Sequence, residues 1–348
     1  MNLAYQPLLR TLAWPLLTLL LCFGIVLSIT SGPMALSGWQ SLLAIWDGLF
    51  HTRFSQLADY QQVVVWNLRW PRTLLALFVG ALLAICGAVT QGLFRNPLAD
   101  PGIIGVSSGA GLGAAIAIVI LPISISAFAT PIAAFFGGLL TSLLVYRLAQ
   151  SKQGNTSILI LLLAGVAVAA FAGAVIGLLT FIANDQALRD LTLWGMGSLN
   201  GGTPFMLGLS ACCCLFLLVF YQRSATALNA LLLGEAEAEH LGINTEKLKR
   251  HLIIATAVGI GIAVSAAGII GFISLVVPHL IRMTLGPDHK RLLPLSALAG
   301  AALLLLADVG SRVWLAPAEL PVGLVTALLG APFFVFLLLQ QRQRLGAL

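Results

Sequence analysis

From Arg69 to Gly113 the chain reads RWPRTLLALFVGALLAICGAVTQGLFRNPLADPGIIGVSSGAGLG. Two arginines precede an apolar run long enough to cross a bilayer, and a turn of asparagine, prolines and one arginine follows it. A second apolar run, spaced by glycines, begins at once. A segment of this kind belongs in a membrane, and the rest of the chain is built the same way. Only 9% of the 348 residues are charged and 59% are hydrophobic, with a mean hydropathy of +1.01. A soluble domain carries about 25% charged residues, so this chain lacks the charge to cover a water-facing surface.

In lipid, only helix bundles and closed barrels satisfy every backbone polar group. The apolar runs are continuous rather than alternating, which selects helices. The expected fold is an all-α integral membrane protein, one transmembrane domain over residues 1–348 with about ten spanning helices. Breakers and charges place the spans near 11–30, 71–93, 102–120, 124–148, 157–182, 205–222, 251–270, 272–285, 293–312 and 320–340. The first run exceeds the roughly 7–15 apolar residues of a signal peptide and lacks a small-x-small cleavage site, so it reads as a retained span.

Orientation follows from lysine and arginine placement. With the N-terminus inside, thirteen of the 18 lysines and arginines fall in inner segments. Five fall outside: Arg53, Arg69, Arg72, Arg189 and Arg312. Both termini are therefore expected in the cytoplasm, and the net charge of +6 needs no nucleic acid to explain it.

Several chemistries are disfavoured. No lysine follows a glycine, so there is no phosphate-binding GxxxxGK[ST] loop. The five cysteines lie inside apolar runs without metal-ligand spacing and read as small buried hydrophobes. Asp100, Asp308 and Glu319 lie near span ends, Asp185 and Asp190 in a loop, and His279 alone lies well inside an apolar run. An ion-coupled carrier needs more ionisable groups at depth, and a membrane enzyme needs paired catalytic groups. Glycines four apart (Gly105, Gly109 and Gly113; Gly173 and Gly177) suit close helix packing. If the chain is a transporter, its energy has to come from a partner.

Three polar constellations remain. The inner segment at about 225–245 offers Leu228, Leu231 and Leu232, a break at Gly234, the acids Glu235, Glu237 and Glu239, then Leu241 and a closing Gly242. Two short helices mixing leucines with acids suit docking of another protein. A helix lying on lipid is the plainer reading, but anionic lipid would repel three glutamates. At the outer end, Arg69, Arg72 and Arg312 break the charge bias. They are either interface anchors beside Trp66, Trp70 and Trp314 or guanidinium forks awaiting a partner's carboxylates. Asn155, Thr156 and Ser157 open the fifth span on the inner side, as helix caps or as part of the mouth of a pathway.

Four stretches carry a family resemblance: the run from Arg69 to Gly111, LLLGEAEAEHLGI, GIIGFISLVVPHLIR and LLLADVGSRVWLAPAELPVGLVTALLGAPFF. They resemble, in order and over about Val65 to Leu339, the permeases of type II ATP-binding-cassette importers, which take up vitamin B12, iron-siderophores and haem. The resemblance implies a bacterial inner-membrane homodimer with a central path, two cytoplasmic ATPase subunits that bind ATP and Mg, and a periplasmic substrate-binding protein. No cofactor is implied in this chain. It implies ATPase coupling by Leu231, Leu232, Gly234, Glu235, Glu237, Glu239, Leu241 and Gly242. It implies binding-protein docking by Arg69, Arg72 and Arg312, and a cytoplasmic gate at Asn155, Thr156 and Ser157. The chain looks most like the haem-importing members. His51, His240, His251 and His289 sit where ligation of a passing haem is conceivable, and a ferric siderophore or a corrinoid remains the alternative cargo.

Overall fold

A computed structural model describes residues 6–151 and 156–345. Ten apolar helices match the ten expected spans: α1 (Gln6–Thr30), α4 (Trp70–Leu93), α5 (Val106–Ile120), α6 (Ile123–Ala149), α7 (Ile158–Ile182), α9 (Pro204–Leu231), α11 (Thr245–Ala267), α12 (Ile273–Leu285), α13 (His289–Val313) and α14 (Val322–Leu345). Among the described residues four shorter α-helices accompany them: α2 (Gly38–Phe50), α3 (Asp59–Val63), α8 (Asp185–Gly195) and α10 (Glu235–His240).

The hub is α4, which packs against α9, α11, α12 and α13 and buries every residue from Val79 to Leu93. Glycine lets it do so. A Cβ on Gly80 would strike the carbonyl oxygen of Gly300 on α13, so the two backbones cross in direct contact. The predicted small-residue seam of α5 is met in the same way, with Gly109 and Gly113 set against the backbone of Gly137 and Ala133 on α6. The second glycine pair behaves differently. Gly173 and Gly177 have open space in front of them, and α7 buries few residues. Among the described residues nothing packs against them.

Two spans are short: α5 begins at Val106 rather than near 102, and α12 keeps the brief extent read for it. At about 1.5 Å per residue, the 15 residues of α5 and the 13 of α12 reach roughly 22 and 20 Å, short of the ~30 Å hydrocarbon core. In front of α5, Pro101–Ile104 forms a 3-10 turn capped by the Asp100 side chain, and Gly105 at φ +80° ends it. Residues 268–272 before α12 are irregular, begun by Gly268 at φ +68° and closed by Phe272 at φ +69°. Such backbone survives at membrane depth when it is packed within protein, and here the α8–α9 connection and α14 lie against it.

The sixth span is longer than read. It runs on through Gln222, Arg223 and Ser224 to Leu231, because no glycine or proline interrupts it before Gly234. The predicted first short helix of the inner loop is thus the end of α9. The supposed loop holding Asp185 and Asp190 is helical, capped at Asn184, whose side chain accepts from the Ala187 N–H at 2.8 Å.

Candidate functional site

The three outer arginines converge. Arg72 lies in the first turn of α4, which Pro71 opens. Its Nε donates to Asp308 Oδ1 at 2.8 Å and its Nη1 to Glu319 Oε2 at 2.7 Å, with Asn200 also in contact. Arg312, one turn beyond Asp308 on α13, brings Nη2 to 3.0 Å from Asp308 Oδ2, close enough for charge attraction but outside hydrogen-bond alignment. Its Nη1 donates to the carbonyls of Ser28 and Ser31. Arg69, in a π-helical turn over Val64–Arg69, donates to the carbonyls of Ile29, Thr30 and Met34. Arg69 and Arg312 thus cap the C-terminus of α1, where unpaired carbonyls and the helix dipole favour cations.

These side chains are therefore not free forks on the surface. Arg69 and Arg312 are buried and Arg72 is nearly so. They line a cavity of about 460 Å³ whose wall also includes Asn67, Leu68, Asn200 and Glu319. Three arginines against Asp308 and Glu319 leave one surplus positive charge there. Burial pushes the Glu319 carboxyl up, but the hydrogen bond and charge of Arg72, with Asn200 and Arg312, outweigh it and hold the group below the ordinary glutamate range. Sequence reading noted Asp308 and Glu319 but gave them no role. The spacing of Asp308 and Arg312 by four on one apolar helix was the available signal. Trp314 is exposed nearby, while Trp66 and Trp70 are half-buried.

The inner loop lies at the other end. His289, the first residue of α13, is bonded to Asn229 near the end of α9. The 25 residues of α13 then carry the chain about 36 Å to the arginine cavity. Leu228 and Leu231 are buried in the core of the bundle, and Leu232 is half-buried, so the predicted apolar docking face is not theirs. Leu233 and Leu241 stand 69% and 65% exposed instead, flanking the exposed acids Glu237 and Glu239. Leu233 escaped the sequence reading because its neighbours masked it. Gly234, at φ +139° and ψ 158°, turns the chain from α9 into α10, and a Cβ there would strike the Glu237 carboxylate. Gly242, at φ +81°, lies beyond the end of α10.

Of the three residues before α7, Asn155 lies outside the described residues. Ser157 is the N-cap of α7 and accepts from the Ile160 N–H at 3.4 Å. Thr156 is buried and donates both its N–H and its hydroxyl to Glu246 Oε2, at 3.0 and 2.8 Å. The histidines divide likewise. His289 is fully buried against Gly92 and cannot meet a passing cargo, whereas His51, His240 and His251 are exposed. Among the described residues no group of histidine, cysteine, aspartate or glutamate side chains is arranged to hold a metal ion.

Comparison with known proteins follows the same line. The family model of the FecCD transport family matches residues 19–340. The hemin transport system permease protein HmuU of Yersinia pestis is 47% identical over 284 residues, covering 80% of this chain and 84% of that protein. The cobalamin import system permease protein BtuC of Halobacterium salinarum is 44% identical over 291 residues, covering 81% and 75%. An inward-facing conformation of a metal-chelate type ABC transporter superposes with a TM-score of 0.81 at 33% identity, covering 95% of this chain and 99% of that one. With ten apolar helices and these matches over most of its length, the chain belongs to the FecCD transport family, the non-catalytic, multi-pass membrane subunits of ATP-binding-cassette importers.

Proposed function

We propose that this chain is the permease of a haem importer, moving haem from periplasm to cytoplasm with energy from a separate ATPase. The observation that carries the haem reading is the 47% identity to a hemin permease over four-fifths of the chain. The path forms between two copies of the subunit. The open glycine face of α7, with exposed Leu163, Val166 and Phe171 along the same helix, supports a second copy there. Both termini lie in the cytoplasm, as the lysine and arginine bias favours. The ATPase grips α10 and the exposed Leu233 and Leu241, and ATP and Mg stay on that partner.

On the outer face, the arginine cavity takes a carboxylate of the periplasmic binding protein, drawn by the surplus charge. Thr156 and Ser157, with Asn155, bound the inner gate. The test is uptake in vesicles holding the permease, its ATPase and its binding protein. Haem should accumulate only when ATP is supplied. Movement of a ferric siderophore or cobalamin with no movement of haem would overturn the haem assignment and leave the family untouched.

A further inference from the structure

Lys249, on the second turn of α11, has a side chain only 3% exposed. A buried ammonium needs acids, and the two it finds belong to separate elements. Its Nζ donates to Glu235 Oε2 of α10 at 2.6 Å and to Glu246 Oε1 at 2.9 Å. The other oxygen of Glu246 is the one that holds Thr156, two residues before α7 begins. A second tie joins the same two helices: Thr245 Oγ1 donates to Glu239 Oε1 at 2.7 Å. The first two turns of α11 therefore grip α10 at two points on one side and the entrance to α7 on the other.

We propose that Lys249 and Glu246 form a relay that passes displacements of α10 to the start of α7, so that the state of the ATPase sets the state of the inner gate. This rests on the reading of α10 as the ATPase contact. A fully exposed ion pair would be held too loosely for the task. Lys249 is shielded from water while each acid is partly exposed, so displacing Glu235 or Glu246 takes from the ammonium a charge-assisted hydrogen bond that water does not readily replace, and the three side chains move together. Both are positioning residues: neither touches cargo or nucleotide.

A simple staple would stabilise every state alike, whereas a relay links two states, and this separates them experimentally. A single cysteine at Leu159, exposed in the first turn of α7, is placed in a background lacking the native five. The permease is purified with its ATPase, and labelling by a maleimide is compared without nucleotide and with ATP and vanadate. The labelling rate should differ roughly tenfold between the states, a usual size for coupling between sites. Glu246→Ala should erase that difference while the ATPase stays bound and ATP turnover continues. Lys249→Met, which keeps the apolar stem, should do the same, and the double variant should be no worse than either. A difference that persists in both single variants overturns the relay, as does a permease without such a difference before mutation. The contact reading is tested apart from this. Leu233→Asp with Leu241→Asp should release the ATPase, and its retention would remove that reading.

Discussion

Arg72 Nε stands 2.8 Å from Asp308 Oδ1, joining residues 236 positions apart and fastening the first turn of α4 to the last turns of α13. Asp308 is fully buried, and Arg312 leans on its other oxygen. Breaking a buried pair by removing one partner costs about 3–5 kcal/mol. Asp308→Asn should therefore lower stability by that order, read as an earlier thermal unfolding transition in detergent. An unchanged transition would mean that the two arginines are satisfied without this acid.

Acid should act through Glu319. Its folded carboxyl titrates below the ordinary value of about 4.3, so the pairing with Arg72 stabilises the fold above that pH and fades as pH falls through the lower folded value. Melting temperatures of the wild type and Glu319→Gln should converge between pH 7 and pH 3. A constant gap across that range would count against this carboxyl as the titrating partner.

On the outer rim, Asn67 is exposed beside the arginine cavity and makes no contribution to the internal ion pairs. Asn67→Asp should weaken attachment of the binding protein by cancelling the surplus charge while leaving the fold intact. The loss should shrink as salt rises, since the screening length is about 8 Å at physiological ionic strength. Affinity measured in detergent at two salt concentrations decides it, and equal affinity for both proteins would remove the cavity from the docking surface.

Gly234 occupies backbone space that is essentially reserved for glycine, and a side chain there costs about 1–3 kcal/mol. Gly234→Val should leave the ten spans folded yet displace α10, giving a permease that loses its ATPase or lets it hydrolyse ATP idly. Retention of the ATPase, ATP turnover and haem uptake measured on one preparation test this. Uptake at the wild-type rate would refute the role of the turn.

Orientation has its own test. Single cysteines at Lys290 and Arg53, both exposed positions, should react oppositely with an impermeant thiol reagent on intact spheroplasts: position 53 labelled, position 290 protected. The reverse pattern would invert the membrane topology.

The spans were legible because each long helix declares itself through some twenty apolar residues, and lipid leaves few other choices. Boundaries failed where local chemistry was ambiguous. Arg223 reads as a stop, yet α9 passes straight through it, since a long side chain can extend to the interface. The short helices α2 and α3 carry no spanning signal and went unread. Gly234 was legible as a break because glycine is the residue that such a turn demands. The partners of Arg72 were not legible. Nothing in a linear sequence says that Asp308 faces Arg72, or that Glu235 reaches Lys249, because helix packing brings them together.

The capping of α1 has a consequence for anything that arrives from outside. A guanidinium has five N–H groups to offer, and Arg69 already commits three hydrogen bonds to the backbone of Ile29, Thr30 and Met34. Five less three leaves two N–H groups, on Nε and Nη2, enough for a two-pronged grip by a visiting carboxylate. The other three hold the guanidinium to the end of the first helix, so the seating of α1 fixes where any such visitor would have to approach.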